Sequence, residues 1–394
     1  MVTYPKDWKE CRLDEISVIN PHSDVPTKFK YVDLESVKGV SLLDTRMENK
    51  ETAPSRAKRY AVIGDIFFQT VRPYQRNNFF FDRTDGDYVF STGYAQIRTD
   101  YDSKFLFYVL QKDSFVEEVI NNCTGTSYPA INPKKLGAIQ ICIPLNVPEQ
   151  KAIATALSTF DTHIDNLTAL IEKKKAIRDG ALADLMSGRN RLEGFSGVWD
   201  ETTLGECGRF ISGSGFPLSY QGNKSGEYPF YKVSDFNNAG NEYNLKISNN
   251  YVSEVVADRL NCNIVPKDSI IFAKIGAAIY LERKRITLCD CCIDNNMMAF
   301  SVNDEICPWY ICCFMQGINF GEFSCTTALP SLSAKILGKI KICIPEFEEQ
   351  KAIADILTSM DTEIQNLETE RDKFIQIREG AMDDLLTGRV RLPM

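Results

Sequence analysis

The chain is 394 residues long, 44% hydrophobic and 25% charged, the composition of a folded water-soluble protein with room for two domains that each bury a core. Its formal net charge of −8 speaks against a free-standing nucleic-acid binder, which is usually basic. No apolar run approaches the roughly 20 residues of a membrane span, and the opening MVTYPKDWKE lacks the basic-then-apolar plan of a signal peptide, so a cytoplasmic protein with no membrane contact is expected.

In chain order, residues 1–145 read as a first mixed α/β region. The run from Tyr60 to Val71, YAVIGDIFFQTV, has the pattern of strands around a turn, and Phe105 to Ile120 that of a helix. Basic Arg56, Lys58 and Arg59 precede those strands, and residues 70–78, TVRPYQRNN, place Arg72, Tyr74, Gln75, Arg76, Asn77 and Asn78 just past one of them. Residues 146–192 change character. Ile153, Leu157, Phe160, Ile164, Leu167 and Ile171 step by four and three, which is a heptad seam. Pro148 suits a first turn and Gly188 a C-terminal stop, so one helix of roughly 40 residues and about 60 Å is expected.

Residues 193–345 read as a second mixed region, with strands around turns from Asp268 to Tyr280 and a helix from Pro308 to Phe320. Lys274 follows the strand that matches the one before Arg72, and Arg283, Lys284 and Arg285 come soon after. Residues 346–394 bring the seam back at Ile353, Leu357, Met360, Ile364 and Leu367, with Gly388 at the stop.

The two helical segments are copies of each other. Residues 149–192 and 349–392 align without a gap and are identical at 23 of 44 positions, so the chain is two units in tandem. The match extends upstream, with Leu136-Gly137 through Ile141-Cys142-Ile143-Pro144 against Leu337-Gly338 through Ile342-Cys343-Ile344-Pro345, Thr126 and Pro129 against Thr327 and Pro330, and Trp8 with Leu13 against Trp199 with Leu204. Between these flanks the likeness largely vanishes. A narrow seam is most economically buried by pairing the two copies. Glu149, Gln150, Lys151, Asn166, Lys173, Arg178, Asp184, Arg189 and Arg191 recur as Glu349, Gln350, Lys351, Asn366, Lys373, Arg378, Asp384, Arg389 and Arg391. Solvated faces normally drift between copies, so this retained polarity points to two equivalent docking surfaces. Glu149, Gln150, Lys151, Arg189 and Arg191, with Glu349, Gln350, Lys351, Arg389 and Arg391, are the expected partner contacts.

The loops of the two diverged regions carry side chains suited to reading DNA. Arginine pairs bidentately with guanine, and asparagine or glutamine with adenine, in the major groove; nearby lysines serve phosphates. Charge is distributed accordingly. Residues 1–145 hold 19 basic and 19 acidic side chains, whereas residues 346–394 hold 6 and 12, so the acidity is concentrated away from the proposed readers. The chain by itself is expected to bind DNA weakly, with partners supplying part of the phosphate contact.

Catalytic patterns are sparse. The Asn/Asp-Pro-Pro-aromatic tetrapeptide of adenine methyltransferases is absent, Gly222-Asn223-Lys224-Ser225 lacks P-loop spacing, and two histidines, His22 and His163, make no persuasive triad. Cys289 and Cys292 form one C-x-x-C without the second pair a zinc site needs; no metal is expected. Asp268 with Glu282-Arg283-Lys284 imitates the acidic pair and lysine of a metal-dependent nuclease, which remains an alternative, as does a coiled-coil scaffold that does not recognise DNA.

The order variable, constant, variable, constant, with Ile-Pro before Glu-Gln-Lys-Ala-Ile-Ala, Gly-Arg at each helix end and GSGFP…YPFYKVSDF at 213–236, resembles the specificity subunits of type I restriction-modification systems over nearly the whole chain. The resemblance implies an α+β fold: two mixed α/β target recognition domains (1–145 and 193–345) joined by two long antiparallel, coiled-coil-like helices with an internal pseudo-two-fold repeat. It further implies that each domain reads one half of a split, asymmetric target on double-stranded DNA. The helices would set the separation and bind two methyltransferase subunits, to which restriction or motor subunits can add. The chain would be non-catalytic and bind no cofactor; S-adenosylmethionine belongs to the methyltransferase, which methylates adenine N6. The acidic second helix departs from the pattern.

Overall fold

The computed structural model describes residues 4–125, 127–325 and 329–393; Thr126 and Thr327, matched between the halves, lie outside them. The chain divides into two compact units, Met1–Leu167 with Glu370–Met394, and Thr168–Thr369. Each takes one mixed region and part of each long helix.

In the first unit, Ile66–Gln69 is buried along its whole length and sits in a four-stranded sheet between Tyr94–Thr99 and Phe79–Phe80, with Ser17–Ile19 at the far edge. The apolar run Ile-Phe-Phe suits a strand covered on both faces. The second cover is another four-stranded sheet, in which Tyr88–Ser91 runs parallel to Lys28–Val32 and antiparallel to Ala57–Tyr60. Phe67 stacks on Phe90 at 3.6 Å and meets Phe81 and Tyr94 edge-on, an arrangement that locks the two sheets face to face. Where a single helix is expected over Phe105 to Ile120 there are two, Ser103–Val109 and Asp113–Asn121. Lys112 is extended, with ψ 141°, and breaks the run. Asp102 caps the first of them through its side chain on the Phe105 amide.

In the second unit, Ile270–Ala273 occupies the corresponding place, paired on one side with Met297–Val302 and on the other with Lys284–Thr287. Beyond Ala273 the expected strand gives way to a 3-10 turn, Ala277–Leu281, because Gly276 reverses the backbone at φ +84°. The predicted helix from Pro308 stops at Gln316 and is followed by a separate 3-10 turn, Phe320–Phe323.

A two-stranded pair closes each unit: Trp8–Arg12 with Gln140–Pro144 in the first, Asp200–Thr203 with Lys341–Ile344 in the second. From each pair the chain enters a long helix, Val147–Met186 of 40 residues and Phe347–Leu385 of 39. Gly188 and Gly388 stop them in the left-handed region, at φ +66° and +70°. Ile153, Ala154 and Leu157 join the first globular core and Ile353, Ala354 and Leu357 the second, so the start of each seam is buried by its own unit. Farther along, helix meets helix. Asp161 accepts from Arg378 and His163 packs on Phe374 in the first unit, while Arg178 meets Asp361 and Lys175 meets Glu368 in the second. Partner numbers fall as the first helix advances, which makes the pairing antiparallel within each unit.

Candidate nucleic-acid interface

The same backbone device displays a pair of loops in each unit. In the first, the Ile131 amide donates to the Thr70 carbonyl and the Arg72 amide to the Pro129 carbonyl, at 3.0 and 2.8 Å. In the second, Leu332 donates to Lys274 and Gly276 to Pro330, at 2.9 and 2.8 Å. The chain past the buried strand is thereby bridged to a segment more than 50 residues downstream, at Val71–Ala130 and Ile275–Ser331. What differs is the side chains. Thr70, Arg72 and Tyr128 of the first unit are replaced at corresponding positions of the second by Lys274, Gly276 and Leu329. Tyr128 is 64% exposed and lies under the Arg72 guanidinium, 4.5 Å from ring centroid to Cζ. Tyr74 and Tyr280 are exposed on the adjoining 3-10 turns.

Not every expected reader is on this surface. Asn78 is buried and its Oδ1 accepts the Gln69 amide at 2.8 Å, so it shapes the loop from below and is removed from the DNA-contacting set. Asn77 accepts the Gly39 amide, and Gln75 accepts from the Gln69 side chain. Arg76 pairs with Asp113 at 2.6 Å and Arg283 donates to Asn237. Arg56 and Lys58 are exposed, and Arg59 and Lys274 half-buried.

Two further expectations are corrected by burial. Lys284 is enclosed, its ammonium shared between Glu282 and the Ile318 carbonyl and lying 4.3 Å over the Phe320 ring. Burial pulls its pKa below the usual lysine value, with Glu282 opposing. Burial likewise works against ionisation of Glu282, yet Lys284 and the Phe320 and Gly321 amides outweigh it and hold this carboxyl below the ordinary glutamate range. Arg285 is half-buried beside Tyr243 and Asp361, and burial lowers its pKa. Both side chains serve the fold. The nuclease-like pattern also comes apart: Phe272 pairs with Lys284 and Ile270 with Ile286, which leaves Asp268 and Glu282 at opposite ends of the ladder, about 20 Å apart at ~3.3 Å per residue.

Four of the repeated polar residues, Glu149, Gln150, Glu349 and Gln350, are buried, which corrects their assignment as partner contacts. Glu149 is buried and takes Arg391 at 2.5 Å; Glu349 is buried and takes Arg191 at 2.7 Å. Gln150 accepts the Asp102 amide and donates to the Pro144 carbonyl, and Gln350 does the same with Cys307 and Pro345. Each unit is thus locked by corresponding contacts, the Glu–Arg pair of each joining one copy to the other, which is a structural reason for identity between copies. Arg189 and Arg389 are exposed but pair with Asp184 and Asp384. Lys151 and Lys351 are exposed. The C-x-x-C cysteines have different surroundings, Cys289 exposed and Cys292 buried in a strand, where burial pushes its thiol up.

The residues that sequence reasoning missed are Tyr128, Tyr280 and Leu329. For Tyr128 and Leu329 the signal was present in the register shared by Pro129 and Pro330, each preceded by a large side chain.

A family model for the type I restriction modification DNA specificity domain matches residues 5–176 and again 197–375. The specificity subunit of the type I restriction enzyme MjaVIII from Methanocaldococcus jannaschii is 24% identical over 322 residues, which cover 74% of this chain and 71% of that protein. Among solved structures, the crystal structure of a type I restriction-modification S subunit from M. genitalium aligns over 98% of this chain and 96% of its own, with TM-score 0.62 and 21% identity. A chain from a structural study of type I restriction-modification complex assembly and conformational transition aligns over 98% and 100%, with TM-score 0.59 and 18% identity. These two show a shared fold. With the family model repeated once in each half, the chain belongs to the type I restriction-modification DNA specificity family and is a specificity subunit.

Proposed function

We propose that this subunit reads a bipartite, asymmetric target on double-stranded DNA, one half-site for each loop pair, and directs adenine-N6 methylation carried out by partner subunits. One observation carries the reading: two loop pairs are held by the same backbone bridges while the displayed residues differ, Arg72 and Tyr128 against Gly276 and Leu329. A common frame with different side chains is what two distinct half-sites require. The chain supplies recognition and no catalytic group; S-adenosylmethionine is bound by the methyltransferase.

The long helices, read as an antiparallel coiled-coil-like pair with a pseudo-two-fold repeat, set the spacer between half-sites. They also dock two methyltransferase subunits, with restriction subunits adding to that assembly. With Glu149, Gln150, Arg191 and their counterparts engaged internally, docking falls to residues that are both repeated and exposed. Asn166, Lys173, Ile177 and Gly180 recur as Asn366, Lys373, Ile377 and Gly380, all exposed, with Ile177 at 49% and Ile377 at 51%. Lys173, Ile177 and Gly180 lie on one helical face. An exposed isoleucine kept in both copies suits a partner's apolar contact, with Lys151 and Lys351 as outlying charges.

The test is a map of N6-methyladenine in DNA from cells expressing this chain with its companion methyltransferase, against cells lacking the chain. A split motif that depends on the chain is the expected result. A folded, bound methyltransferase with no chain-dependent methylation would favour a scaffold instead.

A further inference from the structure

Arg72 holds a backbone conformation that an arginine does not favour. Its φ is +55° and ψ +54°, in the left-handed region where a Cβ crowds the carbonyl and a glycine meets no such cost. The corresponding residue of the second unit is a glycine, Gly276, which shares the positive φ at +84° but has ψ −174° where Arg72 has +54°. Both amides donate across the same 2.8 Å, to Pro129 and to Pro330. The loop frame therefore demands a positive φ at this point, and the second unit meets the demand without strain.

The first unit keeps an arginine there, so the side chain must return something for the strain. Its internal contacts do not account for it. Among the described residues the guanidinium makes no hydrogen bond or ion pair, and its contact is with the exposed ring of Tyr128. The other polar residues of the loop are spent: Arg76 on Asp113, Asn77 on Gly39 and Asn78 on Gln69. A guanidinium laid over an aromatic ring loses freedom of its plane but keeps its edge donors available. An edge with two parallel donors matches the O6 and N7 acceptors of guanine.

We infer that Arg72, oriented by Tyr128 as a positioning residue, reads a guanine in the half-site of the first unit, and that the second unit, with Gly276 and Leu329 in these places, reads its half-site without this device. The inference rests on the two-half-site reading above. It predicts a specific asymmetry.

The experiment maps N6-methyladenine in cells expressing the companion methyltransferase with the wild-type chain or with R72K, R72G, Y128A or Y128F. R72K keeps the charge but loses the fork, and R72G restores the residue found in the second unit. Both are expected to lose about tenfold or more of the discrimination at one guanine. Y128A should weaken the same position, and Y128F, which keeps the ring, should preserve it. The other half-site should stay unchanged throughout. Purified R72G should unfold no earlier than wild type, since glycine relieves the left-handed strain; earlier unfolding would make Arg72 structural and overturn the inference. Retention of every guanine in R72K and R72G, or relaxation of different positions by R72K and Y128A, would overturn it too. A wild-type chain that directs no methylation would instead overturn the two-half-site reading on which the inference stands.

Discussion

Arg191 closes on Glu349 through two hydrogen bonds of 2.7 Å. The carboxylate is 1% exposed and also accepts the Trp199 indole N–H at 3.1 Å. The contact joins the residues after the end of one helix to the first turn of the other, where the helix dipole favours a negative charge. Arg191→Ala leaves that carboxylate buried with one partner. The expected loss is about 2 kcal/mol, below the 3–5 of a fully buried pair because Arg191 is 28% exposed. Chemical denaturation of the purified chain would show it; a change under about 0.5 kcal/mol, the range of ordinary surface substitutions, would mean the lock is idle. The methylated motif, where the variant folds, should be the wild-type one.

Acid should loosen the loop held by Glu282. Its folded pKa lies below the ordinary value, so its contribution to stability is complete above the unfolded pKa of about 4.3 and is lost as the pH falls through the lower folded one. Glu282→Gln removes the charge that faces buried Lys284 at every pH. Wild type should therefore melt above the variant at pH 6, with the gap narrowing below about pH 4.3. A gap that is constant from pH 6 to the acid limit would refute the coupling.

The proposed docking of two methyltransferase subunits is tested at exposed Ile177 and Ile377. Ile177→Asp or Ile377→Asp should each remove one methyltransferase subunit, and the double variant both, without loss of thermal stability, because each side chain is about half exposed. Mass measurement of the assembled complex reads this directly. Full assembly by the double variant would place docking elsewhere.

Spacer length should follow helix length. Four residues inserted into each long helix add roughly 6 Å, close to two base pairs at ~3.4 Å each. The methylation map should show both half-sites intact and the unspecified gap wider. An unchanged gap with altered half-sites would contradict the role given to the helices.

Much of the architecture was legible because it is written locally. The heptad steps from Ile153 to Ile171, the Ile-Phe-Phe run at 66–68 and the stop glycines Gly188 and Gly388 each act within a few residues, and periodicity records them. The 200-residue offset between copies needed only alignment. The same reading misjudged residues whose role is set by what covers them. Glu149 and Gln150 have the composition of a solvated helix start, but Arg391 and the Asp102 amide reach them from distant chain. Lys284 stands in a basic run, yet its strand turns it under Phe320.

The sequence by itself determined the tandem order, the long helices, the buried strands and the family. Only the tertiary structure decided which of the polar residues face outward, and it alone brought Tyr128 beneath Arg72 across 56 positions by way of the Val71–Ala130 bridge. The physical reason is range. Propensity and periodicity are fixed by neighbours along the chain, whereas burial, ion pairing and the strain accepted at Arg72 depend on segments that only folding brings together.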